Sequence, residues 1–100
     1  MDYSSINDYE LLYLAKDEDD FYKKIVYDKY KPIIDKYAFN LSRKYNTSYE
    51  DLYSEGLVAI CYAIKNYKEN YSSSFFTFVS ICIRSKMYDY IKKNILFLIE

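Results

Sequence analysis

The chain has 100 residues, a formal net charge of −1, 51% hydrophobic and 21% aromatic residues, one Gly, one Pro and no His. That length holds one core, and that hydrophobic share predicts a packed domain rather than a disordered segment. Too few turn residues for hairpins exclude a sheet, so the chain is predicted all-α, a compact bundle of about four helices, while the lack of His removes the commonest general base and metal ligand.

The first element is acidic. Residues 1–20 hold seven acids and one base, a net of −6, whereas residues 21–100 hold thirteen bases and eight acids, a net of +5. The main body is therefore mildly basic, which permits contact with nucleic acid without requiring it. Asn7, Asp8, Tyr9 and Glu10 form a capping-box pattern, which predicts a short helix from about Asp8 to Lys16. Asp17 to Asp20 then break the chain and supply the next cap. They lack the Gly and the spacing of a calcium loop. Residues 1–16 are accordingly read as a short acidic N-terminal helix.

A second helix is predicted from about Phe21 to Arg43. Val26, Tyr30, Ile33, Ile34, Tyr37, Ala38, Leu41 and Tyr45 recur at the three- and four-residue spacing of one helix face. Pro32 sits inside this stretch, removing a donor and crowding the preceding turn, so a kink or break is expected near Tyr30 and Lys31. Lys44 to Asn46 make a turn, and Thr47 or Ser48 caps a third helix, with Glu50 or Asp51 as the reciprocal partner. The buried face of that helix is Leu52, Gly56, Ala59, Ile60, Ala63, Ile64 and Tyr67. Gly56 costs about 1 kcal/mol relative to Ala in a helix, and close approach to a neighbouring helix is the expected compensation.

Lys68 to Ser74 read as a polar loop. The last helix is predicted from about Phe76 to Lys93, with Phe75, Phe78, Val79, Ile83, Met87, Tyr90 and Ile91 as its apolar set. Ile95 to Ile99 read as a short apolar tail, and residues 95–100 as that tail or the start of a linker. Cys61 and Cys82 fall inside apolar helical patterns without CxxC spacing, so both are expected to be reduced core residues. With no signal peptide and no apolar run near the ~18 residues of a membrane span, a cytoplasmic location and no membrane partner are expected. The chain is not expected to be an enzyme and no cofactor is implied: no phosphate-cradling loop and no nucleophile–base pair is in view.

Two patterns bear on function. Asp51 and Glu55 stand one helical turn apart on one face and suit the Arg side chains of a partner. They are equally what a helix dipole favours in a first turn. Phe75 and Phe78 have a spacing that suits either core or a platform for unpaired bases, and Lys92 and Lys93 suit phosphate contacts or a solvated helix end.

Asp51-Leu52-x-x-Glu55-Gly56, an apolar run to Tyr67, then Phe75-x-Thr77-Phe78 and Ile83-Arg84 resemble region 2 of the bacterial sigma-70 family of RNA polymerase sigma factors. Phe21, Tyr30, Pro32 and Ala38 after an acidic turn are similar to the opening of its compact alternative members, of the extracytoplasmic-function or sporulation type. The likeness covers about residues 17–93, so 17–94 is read as a sigma region 2-like helical domain. The resemblance implies a transcription-initiation module with two surfaces. The first docks on a coiled-coil of the largest subunit of core RNA polymerase through Asp51, Leu52, Ser54, Glu55, Leu57, Val58 and Cys61. The second takes the −10 promoter element, on the non-template strand, as single-stranded DNA. It comprises Asn70, Tyr71, Ser73, Phe75, Thr77, Phe78, Ile81, Cys82, Arg84, Ser85, Lys86 and Tyr88, with Arg84, Lys86, Lys92 and Lys93 on phosphates.

An anti-sigma factor is a further partner that the resemblance admits. Ile81 and Cys82 occupy the places of the Trp pair that wedges the duplex in housekeeping members, and Ser72 replaces the Gly of the family's loop. A −35-reading helix-turn-helix domain is expected beyond Glu100 if the chain is cut from a longer protein, and is missing if it is a truncated regulator. The other reading is a sigma-like helical interaction module or regulator without promoter reading.

Overall fold

The computed structural model describes residues 13–16, 20–68 and 72–99, with side chains through Ile95. The capping box at Asn7 to Glu10 and most of the acidic break lie outside them. Residues 13–16 are helical (α1), followed by α2 (Asp20–Tyr45), α3 (Tyr49–Asn66) and α4 (Phe75–Ile99), with no strand among the described residues.

α2 is one helix of 26 residues with Pro32 inside it, so of the kink or break expected near Tyr30 and Lys31 the break does not occur. Pro32 and Asp28, whose carbonyl loses its partner four residues on, are both exposed, so the missing bond falls on the solvent side of the helix. The opposite face is held by packing: Val26, Tyr30, Ile34, Ala38 and Leu41 are buried. α2 stops at Asn46, whose φ of 53° is left-handed. The Thr47 amide then donates back to the Ser42 carbonyl at 3.1 Å, the wider hydrogen bond of a Schellman turn. Ser48, not Thr47, caps α3: its hydroxyl accepts from the Asp51 amide at 3.2 Å.

α4 begins at Phe75 because Ser74 caps it, accepting from the Thr77 amide at 3.2 Å. It then continues through residues 95–99, where the sequence suggested a tail. No Gly or Pro stands there to stop it.

The buried residues of α2, α3 and α4 all belong to the faces that helical periodicity predicted, while Ile33, Tyr37, Tyr45, Phe78 and Tyr90 of those faces are only half-buried. All seven residues assigned to the α3 face are buried, as are Phe75, Val79, Ile83, Met87 and Ile91 of α4. Pairs along the α2–α4 seam keep one order: Tyr30 with Phe75, Tyr37 with Arg84, Tyr45 with Tyr88. These two helices therefore run in the same direction. α3 lies across both through Gly56, where an added Cβ would stand 2.7 Å from Ile34 Cγ2 and 3.1 Å from Met87 Cε. The expected close approach at this glycine is thus present. α1 crosses the end of α3, with Ala15 buried and Lys16 Nζ donating to the Tyr67 carbonyl at 2.6 Å, which satisfies a C-terminal acceptor.

Candidate partner and nucleic-acid interfaces

α3 turns three kinds of surface outward. Asp51 and Ser54 are exposed at its start, with Glu55 half-buried beside them. Asp51 does not close a reciprocal capping box; its carboxylate accepts from the Tyr90 hydroxyl of α4. Farther along, the helix parts two grooves. Leu57 and Cys61 line one, of about 620 Å³, against Tyr27 and the Lys24–Asp28–Lys31 cluster of α2. Asp28 bonds to Lys31 at 3.1 Å and Lys24 at 3.3 Å, and those lysines hold its carboxyl below the usual range. Val58, 52% exposed, lines the other, of about 410 Å³, against α4.

Leu52 departs from the expected docking set. It is fully buried, because it stands on the same side of α3 as Gly56 and Ala59. It shapes the helix from within and offers nothing to a partner. Tyr62, one turn beyond Val58 and 56% exposed, was not singled out from the sequence. The i, i+4 relation to Val58 is the signal that would have found it.

On α4 the expected nucleic-acid residues divide. Ile81, Arg84, Ser85, Tyr88 and Lys92 line one groove of about 380 Å³. Ile81 is 55% exposed and Tyr88 half-buried, while Arg84, Ser85 and Lys92 are open to solvent. Lys86 lines only the α3–α4 groove, with Val58, Tyr62, Phe78 and Cys82, while Ile81 and Ser85 border both grooves. Two residues from Arg84, it stands on another side of the helix. Lys93 is exposed, as is Thr77. Asp89, unforeseen from the sequence, borders both grooves and sets a carboxylate among the cations.

Phe75 is no base platform. It is 2% exposed and packs edge-on against Tyr67 at 5.3 Å and Tyr30 at 5.7 Å. Phe78 is partly buried, 5.4 Å from the Tyr67 ring. The exposed ring at this helix start is Phe76, at 53%. The loop before it is pinned where it is described, since the Tyr67 hydroxyl donates to the Ser73 carbonyl at 2.8 Å. Asn70 and Tyr71 lie outside the described residues. Burial pushes the Cys82 thiol up, which keeps it protonated. Cys61 and Cys82 are both free and half-buried rather than fully in the core.

Among the described residues no three His, Cys, Asp or Glu side chains converge as a metal site, and no helix is long and apolar enough to cross a membrane.

The family profile for sigma-70 region 2 matches residues 26–95. The chain is 37% identical over 76 residues to the RNA polymerase sigma factor SigI of Bacillus anthracis, covering 72% of this chain and 32% of that protein. It is 33% identical over 66 residues to SigI of Bacillus subtilis (strain 168), covering 66% of this chain and 26% of that protein. The chain thus spans about a third or less of the length of these relatives. No solved structure matches it significantly.

Proposed function

The chain belongs to the sigma-70 region 2 family, and from that premise we propose that it holds core RNA polymerase with α3 and takes the −10 promoter element as a single strand along α4. The family acts in transcription initiation and is not enzymatic, and the proposed role needs no catalytic step. One observation carries the reading: helices that share a core turn different chemistry outward. α3 presents the carboxylates of Asp51 and Glu55, suited to a basic helical partner. α4 presents Arg84, Tyr88 and Lys92 at successive turns, with cations for phosphates and a ring for a base.

Ile81 gives that strip a half-exposed aliphatic side chain in place of an indole. It contacts a base edge but offers no flat ring to replace a lost stack. The module is therefore suited to holding a strand that is already open more than to wedging a closed duplex.

The test is affinity for core RNA polymerase, measured for the chain and for Asp51→Ala with Glu55→Ala. A loss of about tenfold or more, ~1.4 kcal/mol, is expected. Unchanged affinity rules out this docking face. A second reading, an interaction module that does not read promoters, is favoured by Asp89 within the cationic strip. It is selected if single-stranded −10-like oligonucleotides fail to bind at low salt, where phosphate contacts are strongest.

A further inference from the structure

The seam between α2 and α4 carries two contacts that the proposed function does not use. The Arg84 guanidinium carbon lies 5.9 Å from the centre of the Tyr37 ring. Four residues on, the Tyr88 ring meets Tyr45 edge-on at 6.2 Å and 79°. Lys44 Nζ stands 5.4 Å over that same Tyr45 ring. Arg84 is exposed and Tyr37 half-buried, so the ring is fixed by the core and the cation is free to leave it. A cation on a long flexible stem loses rotamer freedom when it grips a phosphate; one already resting on a ring loses less. Arg84 and Tyr88 border the same α4 groove, so both contacts meet one surface.

We propose that Tyr37 is a positioning residue for Arg84, and that the strand-binding face extends from α4 onto the C-terminal half of α2 through Tyr45 and Lys44, where it takes the sugar–phosphate backbone of single-stranded DNA. This rests on the strand-binding role of α4 given above. A purely structural role for the contact is the weaker account, because exposed cation–π pairs contribute little to folding. Lys44, over the Tyr45 ring, adds one more cation to this face, which lengthens the track along which phosphates are met.

Fluorescence anisotropy of a labelled single-stranded oligonucleotide with the 100-residue chain, repeated across a salt series, tests this. Tyr37→Leu is expected to weaken binding about three- to fivefold and to make the slope of log K against log salt shallower by up to about 0.7, one phosphate contact. Tyr37→Phe keeps the ring and is expected to restore both. Tyr37→Leu should add no further loss to Arg84→Gln, and Lys44→Gln should also make the slope shallower.

Folded Tyr37→Leu binding like wild type, or its loss adding in full to that of Arg84→Gln, overturns the positioning role. If Tyr37→Leu does not fold, an unchanged salt slope in Lys44→Gln overturns the extension onto α2. Loss of binding in Arg84→Gln and Lys92→Gln, with Tyr37→Leu and Lys44→Gln unaffected, removes this inference and leaves α4 as the binding face. No binding by wild type removes both.

Discussion

The Tyr90 hydroxyl of α4 donates to the Asp51 carboxylate in the first turn of α3. Tyr49 makes the matching contact on the other side of α3, donating to Asp35 of α2. Each phenol ties α3 to a neighbour, and each must stay protonated to do so. The contact to Asp51 uses one of about four lone-pair sites on that carboxylate. The group stays exposed at the proposed docking face, fixed in place but open to an Arg.

Alkaline titration reads these ties. Hydrogen bonding to Asp35 pushes Tyr49 from 10.0 up to about 12, and hydrogen bonding to Asp51 likewise raises Tyr90. A folded-state value above the unfolded one means that the unfolded chain releases its proton first. The stabilisation is therefore complete below pH about 10 and is lost as the pH climbs toward 12. Denaturant midpoints for wild type should fall across that window, and Tyr49→Phe should flatten part of the fall. An identical alkaline profile for Tyr49→Phe removes the tie to Asp35.

Leu52 and Val58 separate folding from docking on one helix. Leu52→Ala should destabilise the chain by about 2–5 kcal/mol, as a buried leucine truncation does. Val58→Ala, at a half-exposed site, should stay within about 0.5 kcal/mol of wild type in denaturant yet lower affinity for core RNA polymerase. Equal stability losses in the two variants would contradict the assignment of inner and outer faces.

Gly56 is a packing residue, and its substitution tests how tightly α2, α3 and α4 meet. Alanine gains about 1 kcal/mol of helix propensity over glycine, but its Cβ would lie 2.7 Å from a γ-methyl of Ile34. That methyl sits on a β-branched side chain, which is stiff in a helix. Overpacking costs of about 1–3 kcal/mol are typical, so Gly56→Ala should be net destabilising in urea. Ile34→Ala removes the nearest of the clashing carbons and leaves only the flexible Met87 Cε at 3.1 Å. In the double variant the glycine substitution should therefore cost less than it does alone. Purely additive losses would show that the helices do not meet there.

Asp89 opposes the cations of the α4 strip, and its removal should help a polyanion. Asp89→Asn is expected to tighten single-stranded DNA binding a few-fold at low salt, with the gain shrinking as salt screens it. A weaker complex would mean that Asp89 contacts the strand directly, as an acceptor for a base amine.

The core was legible because burial follows a local period: each apolar set on α2, α3 and α4 could be read from spacing alone. The Ser74 cap and the Asn46 stop are local too, and refine helix ends by a residue or two. Three features were not legible. Lys86 was grouped with Arg84 by charge, although a two-residue step turns it to another side of the helix. For Phe75 the spacing suits core and base platform alike, because it does not say which of three neighbouring rings the core takes; Tyr67 and Tyr30 bury Phe75 and leave Phe76 about half exposed. The Tyr90–Asp51 and Tyr37–Arg84 contacts join residues far apart in sequence, and no pattern within one helix encodes them.

In the proposed function α3 and α4 are separate contact surfaces of one bundle. Hydroxyl-radical footprinting of the chain, first with core RNA polymerase and then with a single-stranded −10-like oligonucleotide added, measures this directly. Polymerase should protect Leu57, Val58 and Cys61, and the oligonucleotide should then protect Tyr88. Protection of the same side chains by both ligands, or of neither set by either, would contradict it.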